Sequence, residues 1–245
     1  LRWTSSFNIA RNRNRLIEIS QPDLLPSNDR TALALIPGRD VNTLYGIPFA
    51  GVDSETGVAL YRLPDGTITS ERAEVRDRRN FVPLGRSTPD FFGGWQNGLT
   101  LGAWNLTLQL NYSYGATDRV DRLTFTDGQQ ILINNQSVNQ LDRWQRPGDE
   151  TGVPRLLIDN PPVARSSRYF FDLSYLQFAS LSLNVDLGQL GVLPVGADNF
   201  RFFGLVNNLG YLYAGERVRG RNGIAEYRFT FPQQRSVTFG LKISW

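Results

Sequence analysis

Between residues 103 and 114 the chain reads AWNLTLQLNYSY, and no other stretch restricts its fold as much. Trp104, Leu106, Leu108, Leu110, Tyr112 and Tyr114 hold the even positions, while Asn105, Thr107, Gln109, Asn111 and Ser113 hold the odd ones. A β-strand sends successive side chains to opposite faces, so this segment has one apolar face and one polar face. Twelve residues extend roughly 40 Å, and a tilt of about 45° reduces that to about 28 Å, the hydrocarbon depth of a bilayer. A Trp at its start and two Tyr at its end suit the two membrane interfaces.

The period of two recurs. Val237, Phe239, Leu241, Ile243 and Trp245 alternate with Ser236, Thr238, Gly240, Lys242 and Ser244. In 180–187, Leu181, Leu183, Val185 and Leu187 oppose Ser180, Ser182, Asn184 and Asp186. Trp3, Phe7 and Ile9 share a face near the start, opposite Arg2, Thr4, Ser6 and Asn8. Segment 200–213 is blurred, with Phe203, Leu205, Leu209, Tyr211 and Tyr213 in phase and Asn207 breaking it. Segment 91–101 is strand-like although Gly93, Gly94 and Gly98 would weaken a soluble strand. A further strand is expected within 43–62, around Tyr45, Phe49 and Tyr61. No convincing amphipathic helix is present.

A soluble antiparallel sandwich also alternates, so alternation alone does not decide. These strands exceed the usual five or six residues. Their polar faces carry Ser, Thr, Asn, Gln and Gly rather than Lys and Glu, as a lumen would. Connections are lopsided: a turn at Gly102, then 115–173, then about a dozen residues after Leu187, then the polar stretch 214–234. Short turns at one end and long loops at the other mark a transmembrane barrel. The expected fold is therefore an all-β, antiparallel transmembrane β-barrel.

If the last strand runs toward the periplasm, 200–213 runs up, 175–187 down, 103–114 up and 91–101 down. Residues 1–12 are also expected to run down, with one upward strand in 16–80, giving about seven strands. An odd, small number cannot close a bacterial barrel. The 245 residues are thus expected to be the C-terminal part of a bigger barrel, with 115–173 as its long extracellular loop. The lack of Met at position 1 fits a processed or partial product.

Composition narrows the chemistry. Histidine, cysteine and methionine are absent, which removes Cys or His nucleophiles, disulfides and thiolate or imidazole zinc sites. Lys242 is the lone lysine beside 25 arginines, and the net charge is only +3. The Arg11, Arg13, Arg15 group and the Arg76, Arg78, Arg79 group read as solvated turns, so no nucleic-acid partner is expected. The first residues carry no signal-peptide pattern, and no run of apolar residues is long enough for a transmembrane helix. No cofactor is implied.

GRSTPDFFGGWQN (85–97) resembles the G-x-x-x-P-x-F-x-GG-x-x-N block of SusC/RagA-type TonB-dependent outer-membrane transporters. WTSSFNIARNRNRL (3–16), FAGVDSETGVALYRLPDG (49–66), RWQRPGDETGVPRL (143–156), SSRYFFDLSYLQFASLSL (166–183), NNLGYL (207–212) and RSVTFGLKISW (235–245) resemble further family blocks in the same order. Ala59 stands where the family usually has Pro, Gln177 where it more often has Arg or Lys, and Trp245 where Phe is commoner.

The resemblance implies a barrel of about twenty-two strands, of which this stretch would be about the last third. It also implies uptake of large nutrients, oligosaccharides or peptides, across the bacterial outer membrane. Energy would come through TonB acting on an N-terminal plug region that these residues lack. A SusD-like surface lipoprotein would form a lid, outer-membrane lipid would surround the wall, and the C-terminus would face the periplasm. Two other classes stay open, a non-transporting structural or adhesive barrel and an outer-membrane barrel enzyme. An enzyme would be restricted to carboxylate, Ser or Tyr chemistry.

Loop 115–173 is the expected binding surface, since loops on a rigid scaffold carry function. Trp144 is a candidate to stack on a sugar ring or peptide group, and Arg143, Arg146 and Arg155 to pair with carboxylates. The alternative is that Trp144 and Arg155 pin the loop to itself, as the turn at Pro147-Gly148 and Pro154 suggest. Asp118, Asp121 and Asp127 match no ordered calcium loop and read as solvated. Asp149-Glu150 are adjacent and do not flank one bond as an acid–base pair would.

Overall fold

The structure, a computed structural model, describes residues 1–20, 35–128, 131–158, 161–214 and 234–245. Most of the polar stretch 214–234 lies outside the described residues. Six strands form one antiparallel sheet: β1 (Arg2–Ala10), β7 (Phe91–Leu101), β8 (Trp104–Tyr114), β11 (Tyr175–Asp186), β12 (Asn199–Ala214) and β13 (Ser236–Ser244), in that spatial order.

The register gathers the alternating residues on one surface. Phe7 pairs with Trp95, Trp95 with Leu110 and Leu110 with Phe178. Lower down, Leu99, Leu106 and Leu183 form a row, and Val185, Phe202 and Leu241 another. This apolar face is not covered: Trp3 is 68% exposed and Phe239 75%. An exposed apolar surface of that extent needs a partner, and its height fits hydrocarbon. The opposite face carries Asn105, Thr107, Gln109 and Asn111 beside Ser180, Ser182 and Asn184.

Glycines in the sheet make room for neighbouring rings. Tyr112 leans across Gly93, stacks on Phe7 with ring centroids 5.7 Å apart, and donates its hydroxyl to the Asn8 carbonyl at 2.8 Å. On the polar face the Phe203 ring covers Gly240. Backbone exposed by the missing side chain is shielded in both places.

Three sequence expectations change. First, β1 pairs directly with β7, so no strand lies between them and the described sheet has six strands rather than seven. Antiparallel pairing also makes β1 run opposite to 91–101, not alongside it. Second, the strand expected in 43–62 is three short ones: β2 (Thr43–Gly46), β3 (Phe49–Val52) and β4 (Ala59–Arg62). β2 pairs with β6 (Val82–Arg86), and β3 and β4 pair with each other and with β5 (Ile68–Thr69), all outside the main sheet. Third, the phase of 200–213 is even in its first half, because Phe202 and Val206 align with Leu241 and Val237. Register shifts against β11, beside Asn208 at φ 55° and Gly210 at φ 146°, blur the period there.

The ends of the sheet differ. A tight turn at Gly102 and the 187–198 connection close one end. At the other, β1, β8 and β12 end and β7, β11 and β13 begin. The described parts of 11–90 and 115–174 pack into a cap with a core of its own. One cluster is Ile47, Ala59, Tyr61 and Val75; the other is Ala116, Val120, Leu123, Tyr169 and Leu173. A two-stranded ribbon of β9 (Thr117–Arg119) and β10 (Phe170–Asp172) joins the second cluster to the sheet. Among the described residues the helices are short, α1 (Arg72–Arg76) and α2 (Asp121–Thr126) among them, and none is long and apolar enough to cross a membrane.

Candidate functional site

The cap is the built surface, and two loops lock together at its centre. In the first, the Asp53 carboxylate accepts the backbone N–H groups of Glu55 at 2.8 Å and Thr56 at 3.1 Å. These bonds hold its carboxyl below the usual carboxylate range. Gly57 then turns the chain at φ 71°, its N–H donating to the Asp53 carbonyl at 2.7 Å.

The second loop is built around Asp149. Its carboxylate accepts from the N–H of Gln145 and of Arg146, each at 3.0 Å, across the turn at Pro147-Gly148. Those backbone bonds, helped by Arg146, again hold the carboxyl low. Thr151 donates its hydroxyl to the Asp142 carbonyl at 2.6 Å and accepts the Val153 N–H at 3.1 Å.

Trp144 joins them. Its indole lies against Gly57 so closely that a Cβ there would sit 2.4 Å from the ring. The indole N–H donates to the Ser54 carbonyl at 2.8 Å, and the Gly148 N–H donates to the same oxygen at 2.8 Å. The Arg155 N–H reaches the Gly57 carbonyl at 2.9 Å. Trp144 is 9% exposed and its ring faces the cap interior.

The other candidates stand at different depths. Arg146 is open to solvent, its side chain 85% exposed, and pairs with Asp149 at 3.4 Å. Arg143 is half-buried and donates to the Gln140 carbonyl at 2.8 Å. Arg155 is half-buried, with its Nε buried and without a hydrogen-bond partner among the described residues. Geometry therefore groups Arg143, Arg146 and Arg155 around a loop that Trp144 holds in shape.

Sequence reasoning missed the ion pair beneath this loop. Arg168 meets Asp127 at 2.8 Å, with side-chain exposures of 12% and 3%. Asp127 also accepts from the Gln140 side-chain amide at 2.7 Å, and the Tyr169 hydroxyl donates to its carbonyl at 3.2 Å. Arg168 further bonds the Gly152 carbonyl and lies 5.4 Å over the Phe49 ring. Asp127 is thus buried and paired, which corrects its reading as solvated. The S-S-R block is the signal that pointed here: Ser167 Oγ accepts the Phe49 N–H at 2.9 Å, placing Arg168 between both loops. Burial pushes the hydroxyl of Tyr61 up to about 12 and that of Tyr169 higher still. Among the described residues no group of acidic side chains could hold a metal ion.

The chain is 24% identical over 267 aligned residues to the TonB-dependent receptor P3 of Formosa agariphila, covering 98% of this chain and 25% of that protein. It superposes on the RagAB peptide transporter with a TM-score of 0.81 at 19% identity, covering 99% of this chain and 27% of that one. The fold of this chain is that of part of the RagAB peptide transporter. The open-open and closed-closed states of the RagAB peptide importer each superpose with a TM-score of 0.79 at 20% identity. No family model matches. The chain spans about a quarter of the length of these relatives.

Proposed function

We propose that this chain supplies wall and outer rim to a TonB-dependent active transporter of a bacterial outer membrane, importing large nutrients. The observation that carries the reading is the polarity of the fold. All long connections leave one end of the sheet, those described build a rigid cap, and the other end has only short turns. A belt of exposed apolar side chains lies between. Such an arrangement suits a pore that presents a shaped surface outside and little inside.

On this reading 115–173 is extracellular, the C-terminus faces the periplasm, and lipid covers the apolar face. A SusD-like lipoprotein seats on the cap, and TonB works through a plug region elsewhere in the parent protein. Peptide is the favoured cargo, since RagAB is a peptide transporter, with oligosaccharide the competing one. Arg143, Arg146 and Arg155 meet carboxylates of cargo or lid, while Trp144 keeps their loop in register.

The test uses the full-length protein in cells. Uptake of labelled peptide mixtures should disappear when TonB is deleted and should fall several-fold in an Arg143→Gln/Arg146→Gln/Arg155→Gln variant present at normal surface levels. TonB-independent uptake would refute the transporter reading. Uptake of oligosaccharide but not peptide would move the cargo, and unchanged uptake by the triple variant would remove the arginines from the contact.

A further inference from the structure

A hollow of about 400 Å³ opens on the apolar face where the sheet meets the cap. Its walls are Phe7 and Ile9 of β1, Phe91 of β7, Tyr112 and Tyr114 of β8, and Leu176 of β11. Gly93, paired with Ile9 on one side and Tyr112 on the other, lets the Tyr112 ring lie across it toward Phe7. The aromatic wall is ordered: Phe91 stacks on Tyr114 at 5.1 Å and Tyr112 on Phe7 at 5.7 Å. A second hollow of about 490 Å³ shares Ile9 and Phe91 and extends toward Ala10, Arg11 and Asp90.

The chain then continues as Arg11-Asn12-Arg13-Asn14-Arg15. Arg11, Arg13 and Arg15 are exposed, whereas Asn14 and Leu16 turn inward. Asn14 accepts the Val41 N–H at 2.9 Å, and Leu16 exchanges backbone bonds with Gly38 and Arg39. Arg15 lies over Gly38. Beta1 ends at Ala10, opposite Phe92, so Arg11 stands level with the aromatic girdle of Phe91 and Tyr114. None of the three arginines forms an ion pair among the described residues, and the nearby Asp90 is taken by Arg86.

We infer that this hollow and the arginines above it are a binding site for a phosphorylated, acylated glycolipid of the outer leaflet. An acyl chain lies in the aromatic groove between β1 and β11, and Arg11 and Arg13 hold the headgroup phosphate. Guanidinium groups bind phosphate through paired N–H donors, and basic side chains at headgroup height attract anionic lipid. Charge and apolar groove are both needed, because a lipid presents the two at this spacing and a soluble anion does not. The inference rests on the outer-membrane reading above, which sets the cap end of the sheet in the outer leaflet.

The experiment is native mass spectrometry of the full-length protein, delipidated in detergent and titrated with diphosphorylated lipid A against phosphatidylglycerol. Heat-modifiable migration on gels is read on every sample as the sign of a folded barrel. Lipid A should bind the wild type in preference to phosphatidylglycerol. Occupancy should fall on the order of tenfold in Arg11→Gln/Arg13→Gln, fall also in Ile9→Ser, and hold in the Arg62→Gln control. A folded barrel with equal occupancy in all variants, or with phosphatidylglycerol bound equally well, overturns this site and leaves the transporter reading intact. A wild type that never becomes heat-modifiable overturns both.

Discussion

Gly57 and Trp144 are 87 residues apart in sequence and yet one contact. The glycine is required twice there, by its φ of 71° and by an indole that leaves no space for a Cβ. Gly57→Ala should therefore loosen the cap by about 1–3 kcal/mol. Limited proteolysis of the full-length protein should show faster cleavage in 49–62 and 143–155, with strands of the wall unaffected. The Arg168–Asp127 pair makes a second residue-scale case. Removing the guanidinium leaves a carboxylate 3% exposed with, among the described residues, the Gln140 amide to hold it. Arg168→Met should cost about 3 kcal/mol, and adding Asp127→Leu should recover part of it, as read by the near-ultraviolet dichroism of the buried rings. Asp149 sets a pH limit. Its folded pKa lies below the ordinary 3.8, so its stabilisation is complete above that value and is lost as pH falls through the folded one. Amide protection in 145–149 should therefore hold through mildly acidic conditions and fail only below about pH 3.8.

At the scale of elements, legibility follows from where the partner of each pattern lies. β7, β8, β11 and β13 were readable because each carries an exposed apolar face, and alternate side chains on a strand point the same way. β8 matches its expected limits within a residue. β2 to β6 were not readable, since each is two to five residues long and packs on other loops, where burial follows no period. The reversed direction of β1 was hidden for the same reason: only pairing tells which neighbour a strand takes, and 11–90 intervenes. Nor could Asp127 be seen as buried, because its partner Arg168 is 41 residues away. In the motif blocks, by contrast, Asp53, Asp65, Asp149 and Asp172 each accept a backbone N–H from a residue two to four positions away. The phase of β8 is testable by single cysteines in an otherwise cysteine-free chain. Position 107 should react with a water-soluble thiol reagent and position 108 should not, in full-length protein in membranes. Equal labelling would mean that the apolar row does not face lipid.

For the whole molecule, stability is divided unevenly. Among the described residues the cap holds most of the buried apolar side chains, while the sheet, apart from Leu110 and Val185, exposes its rings and leucines on one face. In water that face is a liability; in hydrocarbon it costs nothing, and the backbone becomes the issue instead. β1 and β13 do not pair with each other in the described sheet, so each presents a row of N–H and C=O groups on its outer side. Water can satisfy such an edge, but a bilayer core cannot, at several kcal/mol per unpaired group. Edge charges or bulges that protect aqueous sheets offer no remedy there. The sheet must therefore find strands for both edges before it is stable in a membrane, and β13 should pair with a strand other than those described. Expressed alone, these 245 residues should aggregate on the exposed face and give neither heat-modifiable migration nor protease resistance in detergent. The cap, which brings its own core, should keep local order even so, seen as protection of 43–62 and 143–173 against brief proteolysis. A monodisperse 27.6 kDa species with a protease-resistant sheet would show that six strands suffice, and that the wall does not need the rest of a barrel.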